Sequence, residues 1–258
     1  MSGLADELLE SFRKGSDQAF SLIEQRKNQL TPALAEDLRA RFSRTVAAGD
    51  GTTAFATSML ASVVYLRLGM RHEALQCFLD NIQIRFMAAN DANAYGKVRT
   101  EALDCVAKAT GISAPDIAFR AAVTAADCAY FAFEASSQNN ADARGWMRHC
   151  LDDLETALSL ASSDGGAGFL MKLASLLAQA TIDVQSLIWF DTGVQTAIDA
   201  QLRRLATAAE QKIPVEFDCS GDPVKSRNVG QALAELSYKY GSVDNADARI
   251  AWLTSKLQ

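Results

Sequence analysis

The stretch Met59–Asn81 reads MLASVVYLRLGMRHEALQCFLDN, and its pattern governs how the rest of the chain is read. Met59, Leu60, Val63, Val64, Leu66 and Leu68 are too many apolar residues for one narrow stripe, so they predict a helix covered on most sides. In the second half Ala74, Leu75, Phe78, Leu79 and Ile82 recur at the helical period, while Glu73, Gln76 and Asp80 fall elsewhere. Gly69 stands between the halves, where a residue without Cβ takes up positive φ at no steric cost. The expectation is a helical hairpin that bends at Gly69 and closes tightest at Ala74.

Within it Tyr65, Gly69, Ala74 and Phe78 stand as Y-x(3)-G-x(4)-A-x(3)-F. This spacing resembles the signature of a tetratricopeptide repeat, over residues 55–82. Three family positions depart from it: Thr57 stands for the early Trp, Ala61 for the following Leu and Asn81 for the final small residue. The resemblance implies an all-α chain of antiparallel hairpins, stacked as an α-solenoid or superhelical bundle, in which a small Ala74 admits close approach and Phe78 fills the wedge behind it. Two echoes extend it. Gly241 and Ala246 are spaced as Gly69 and Ala74 are, and Asn140-Ala-Asp-Ala-Arg144 recurs as Asn245-Ala-Asp-Ala-Arg249, each near a helix start.

With 258 residues, half of them apolar, the chain is long enough for one elongated domain or two compact ones. Abundant Ala and only four prolines favour helix throughout. A formal charge of −6 argues against nucleic acid as a partner, because phosphate contact needs a concentrated basic face. Arg39, Arg41 and Arg44 come nearest to one, diluted by Glu36 and Asp37, and read as a solvated surface. Five scattered cysteines, Cys77, Cys105, Cys128, Cys150 and Cys219, suit small core residues in a reducing, cytoplasmic setting. The acidic, amphipathic first residues do not resemble a secretory leader, and charges such as Lys172 and Asp183 interrupt the longest apolar runs, so no membrane span is expected.

Along the chain, Thr31-Pro32 predicts a helix start, as do Ser16, a capping box of Ser113 with Asp116, Asn139-Asn140 and Asp191. The glycine-rich Ser162–Gly168 predicts a linker, dividing a hairpin array at 1–163 from a C-terminal sub-bundle at 164–258 that continues it. Ile213–Pro223 is the one extended stretch, and Asp218, Cys219 and Asp222 make it the most site-like loop.

Candidate functional residues are few. Arg120, Asp127 and Glu134, spaced seven apart on an otherwise apolar helix, form one seam; it either faces water as a solvated edge or lines a groove in which Arg120 anchors an anion. His149 with Asp152 and Asp153 is half of a metal site, but the other histidine, His72, lies far off in a hairpin turn, so neither metal nor cofactor is expected. On the central hairpin the inner face, Ala56, Met59, Val63, Leu66 and Arg67, is apolar enough to predict cover by a neighbouring helix. On the last hairpin Asn228, Gln231, Glu235, Tyr238 and Lys239 form a polar face with one aromatic, the better surface for a protein or peptide. The expected function is a cytoplasmic adaptor or scaffold without chemistry of its own. The alternatives are an all-helical enzyme or small-ligand receptor built on the Arg120, Asp127 and Glu134 seam, and a self-associating structural subunit. Nucleophile-elbow, zinc-protease and glycine-loop signatures are missing.

Overall fold

A computed structural model describes residues 2–136, 140–161, 166–216, 219 and 221–256. They form twelve α-helices and a short 3-10 turn at Lys27–Gln29, with no strand among the described residues. The helices are α1 (Ser2–Lys14), α2 (Ser16–Gln25), α3 (Pro32–Ala47), α4 (Gly51–Arg67), α5 (Arg71–Ala88), α6 (Ala92–Gly111), α7 (Pro115–Glu134), α8 (Ala141–Leu160), α9 (Ala167–Ser186), α10 (Thr192–Lys212), α11 (Pro223–Tyr240) and α12 (Val243–Lys256). The all-α class read from the sequence is the class observed.

Short polar residues set many of the starts. Thr31 accepts the Leu34 N–H at 3.2 Å, Asn140 the Ala143 N–H at 2.7 Å and Asp191 the Gly193 N–H at 2.7 Å. Each satisfies an otherwise orphaned helix donor, worth about 1 kcal/mol. Two expected caps are corrected. Ser16 is the first residue inside α2, behind Gly15, and no side chain caps that helix. Ser113 has φ 56 and closes α6: its N–H donates to the Thr110 carbonyl at 3.1 Å, and the Ala114 N–H to the Ala109 carbonyl at 2.9 Å. That is a Schellman C-cap, so the residue that looks like the next helix's first cap belongs to the previous helix's last.

The chain groups into two compact units, one of Met1–Ala89 with Asp104–Ile117, the other of Asn90–Leu103 with Ala118–Gln258. The division falls within α6 and at the start of α7. The break expected at Ser162–Gly168 lies inside the second unit, and its residues 162–165, like Asn139, Phe217 and Asp218, are outside those described.

In the first unit α1 to α5 share a core to which Leu8, Ile23, Leu38, Leu60 and Tyr65 contribute. The central hairpin forms as expected. Gly69 has φ +77, its N–H donates to Leu66 O at 3.1 Å and the Met70 N–H to Tyr65 O at 2.9 Å, a second Schellman motif with both Tyr65 and Met70 against the core. Ala74 is buried, and Ser62 Oγ donates to its carbonyl at 2.8 Å, which holds α4 against the start of α5. Asn81, where the repeat signature wants a small residue, is 1% exposed and donates to Phe55 O at 3.2 Å and Ser58 Oγ at 3.0 Å, a polar clasp across the far end. Ala74→Trp is expected to overpack this contact and lower stability by about 1–3 kcal/mol in denaturant titration. An unshifted midpoint would mean that α4 and α5 do not meet there.

In the second unit α7 is the buried element. Ala118 to Tyr130 are all buried except the half-buried Arg120, as an all-round apolar helix requires. The α11–α12 hairpin also forms, with Gly241 two residues before α12 and the buried Ala246 its fourth residue, as Gly69 and Ala74 stand to α5, but the two glycines differ in use and the Asn-Ala-Asp-Ala-Arg echo is out of register. Gly241 has φ −119, outside the left-handed region, and a Cβ there would lie 2.3 Å from Glu210 Oε1; it is small to admit a neighbour, whereas Gly69 is there to make a bend. Asn140 precedes α8 as its cap, whereas Asn245 lies inside α12. Among the described residues α9 is long and apolar enough to cross a membrane by length and composition, yet eight of its residues are buried inside the protein.

Candidate functional site

The seam on α7 runs along α9 and differs in burial from residue to residue. Asp127 is 3% exposed and ion-paired with Lys172 Nζ of α9, so of the two readings of the seam the solvated edge does not hold at this residue. Arg120 lies with its guanidinium carbon 4.8 Å from the centre of the Phe169 ring, a cation–π contact with the first turn of α9. Glu134 is exposed, within 3.3 Å of the Tyr130 hydroxyl, which also donates to Asp183 Oδ2 at 2.8 Å. Arg120 and Asp127 thus meet α9 directly, and Glu134 lies beside the tyrosine that bonds Asp183 of the same helix.

A second buried ion pair lies in the same unit. Arg99 of α6 holds Asp153 of α8 with Nε–Oδ2 at 2.6 Å and a second nitrogen to Oδ1 at 3.0 Å, the bidentate geometry that suits guanidinium to carboxylate. Both side chains are largely withdrawn from water, at 16% and 5% exposure. Burial pushes both Asp127 and Asp153 above the ordinary carboxylate range, while Lys172 and Arg99 pull the other way. Burial also pushes the nearby Cys128 thiol up to about 12 and Cys150 well above its usual value, so these thiols stay protonated and unreactive. Sequence reading missed Arg99, Asp153 and Lys172 as a set. The visible signal was Asp153 itself, three residues after Cys150 and beside Leu154, inside the apolar stripe of α8.

The half metal site does not assemble. Asp153 is held by Arg99, Asp152 accepts from Gln201 at 2.7 Å, and the His149 ring packs on Trp146 with centroids 5.6 Å apart. Among the described residues no group of three His, Cys, Asp or Glu side chains is placed to hold a metal ion. In the 213–223 connector Cys219 is buried, its N–H donating to Ser226 Oγ at 2.7 Å, and Asp222 caps α11 through the Lys225 N–H at 2.9 Å. The fully buried Arg249 of α12 reaches back to donate to Pro214 O at 2.8 Å and Ile213 O at 2.9 Å. These contacts fasten the connector at Ile213, Pro214, Cys219 and Asp222.

The face on α11 is presented to water. Asn228, Gln231, Glu235, Tyr238 and Lys239 are all exposed, Tyr238 to 48%. Gln231 Nε2 donates to Glu235 Oε1 at 3.1 Å, the Tyr238 hydroxyl donates to Asp247 of α12, and Lys239 lies over the Tyr240 ring at 5.1 Å. Asn228 borders a cleft of about 330 Å³ between α9 and α11, where Ile182 and Val224 are 51% and 56% exposed. On the central hairpin Ala56 is buried and Met59 and Val63 are half-buried, but the cover expected over Leu66 is missing, for Leu66 is 57% exposed. Arg67 pairs with Glu24 at 2.5 Å.

No family model, curated protein or solved structure matches the chain.

Proposed function

We propose that the protein is a scaffold that binds a protein or peptide on the outer face of α11. The observation that carries this reading is the row Gln231, Glu235 and Tyr238, one helical turn apart, exposed and yet held in place by hydrogen bonds within the row and to α12. Such side chains lose little conformational freedom when a partner arrives, which favours binding per unit of area. A ring with amides and charges beside it is the composition of a binding patch, and the exposed Ile182 and Val224 beside Asn228 add apolar surface. The finer reading, that the α4–α5 and α11–α12 hairpins are each divergent tetratricopeptide-like modules, belongs to the same proposal and rests on Gly69 and the buried Ala74 in the first and on Gly241 and the buried Ala246 at the matching positions of the second.

A reducing, cytoplasmic setting suits the chain, since all five cysteines are buried and none forms a disulfide. A protein partner suits it better than nucleic acid, given the formal charge of −6.

Copurification from the native cell followed by mass spectrometry tests this. A partner at stoichiometric amount should bind about tenfold or more weakly to Tyr238→Ala, the loss typical of a central aromatic contact, while the melting curve of that variant stays unchanged. Equal affinity of the variant discards this surface. A concentration-independent dimer in sedimentation, with no other protein bound, would replace the adaptor by a self-associating subunit.

A further inference from the structure

The first unit carries a surface that the α11 reading does not use. A groove of about 450 Å³ runs between the α4–α5 hairpin and the end of α6. Leu66, Leu75, Phe78 and Ile112 form its apolar walls over the small Ala74, and two cations, Arg71 and Lys108, stand at its rim. This is within the range of clefts, about 300–1,000 Å³, that hold a small ligand or a few side chains. It is open where most of the hairpin is closed: Leu66 is 57% exposed, and Phe78, expected to fill a wedge, is only half-buried with Lys108 Nζ 5.4 Å from its ring.

Charge decides the occupant. Among the described residues no acidic side chain lines the groove, although the chain as a whole carries a formal charge of −6. Lys108 pairs with Asp104 at 2.6 Å, but both side chains are about half exposed, and such surface pairs are worth little and exchange readily. Arg71, the first residue of α5, is exposed and lines the groove as well. An apolar trough lined also by two cations complements an amphipathic segment with bulky apolar residues on one face and carboxylates beside them.

We propose that this groove docks an acidic amphipathic helix of a partner protein, with its apolar side chains over Leu66, Phe78 and Ile112 and its carboxylates at Arg71 and Lys108. The site is separate from the α11 face, so either can fail alone.

The test is selection of a random peptide display library on the full chain, followed by titration of a fluorescein-labelled consensus peptide. Selected peptides should carry bulky apolar residues at helical spacing next to Asp or Glu. The labelled peptide should bind about tenfold or more weakly to Leu66→Ser and to the double variant Arg71→Glu with Lys108→Glu, and several-fold more weakly at high salt. Tyr238→Ala should not change its affinity. The substituted side chains are exposed, so these variants are expected to keep the wild-type melting curve, and that curve is the control for folding. Selection of basic or neutral peptides, of none, or of peptides whose affinity ignores these substitutions overturns the proposal. So does a dimer in sedimentation that Leu66→Ser dissociates, because the occupant is then a second copy of the chain.

Discussion

Arg99→Met is expected to destabilise the second unit by about 3–5 kcal/mol at neutral pH, the usual cost of removing one partner of a buried ion pair. Asp153 is 4% exposed and depends on the two Arg99 hydrogen bonds to offset its loss of water. Without them the carboxylate is buried alone, and its pKa, already raised by burial, rises further. A carboxyl whose folded pKa lies above its unfolded value near 3.8 weighs least on the fold below that value, and the stability is lost as pH rises through the folded pKa. The deficit of the variant should therefore be largest at neutral pH and shrink on acidification toward about pH 4, where the orphaned carboxyl takes up a proton. Adding Asp153→Asn should recover much of the loss. Trp146, Trp189 and Trp252 all lie in the second unit, so tryptophan fluorescence during urea unfolding follows this transition. A loss under about 1 kcal/mol, or one independent of pH, would mean that Asp153 is not shielded from water as described.

Arg249→Ala should cost about 3 kcal/mol, from two charge-assisted hydrogen bonds of roughly 1.5–3 kcal/mol each and a cavity, less what is regained by no longer burying a charge. Arg249 is among the largest fully buried side chains of the described residues, and burial pushes its pKa below the ordinary arginine value, with Glu210 opposing. Its guanidinium fork holds the carbonyls of Ile213 and Pro214, so the connector between α10 and α11 is tied to α12. Amide exchange at Ile213 and Val215 should accelerate in the variant before global unfolding does. Arg249→Lys keeps the charge but not the planar fork, and should fall in between. Wild-type exchange at Ile213 in the alanine variant would show that the connector is held by something else.

The helices themselves were legible because their signals are local. Thr31, Asn140 and Asp191 act on a backbone N–H two or three residues away, and Gly69 acts on its own φ. Local signals also compete. Ser113 stands where it can serve either the end of α6 or the start of α7, and its sequence neighbours Pro115 and Asp116 favour the second reading; it takes the first. Identical words can likewise fold to different use: Arg144 of the first Asn-Ala-Asp-Ala-Arg lies over the Phe190 ring at 5.5 Å, whereas Arg249 of the second is fully buried against carbonyls. The α11 face was legible as exposed because its positions alternate with the buried Ala232, Leu233 and Leu236 at helical period. The groove above Ala74 was not, since an apolar Leu66 reads the same whether a neighbour covers it or not.

The sequence by itself determined an all-helical chain, where most helices begin and the bend at Gly69, because each follows from a few adjacent residues and the geometry of a hydrogen-bonded turn. Only the tertiary structure decided which charges lie inside. Arg99 and Asp153 are 54 residues apart, and Asp127 and Lys172 lie on different helices, so no periodicity along the chain marks them as partners. Burial is a property of how helices pack, and a carboxylate on a helix reads alike in water and in a core until its neighbours are placed.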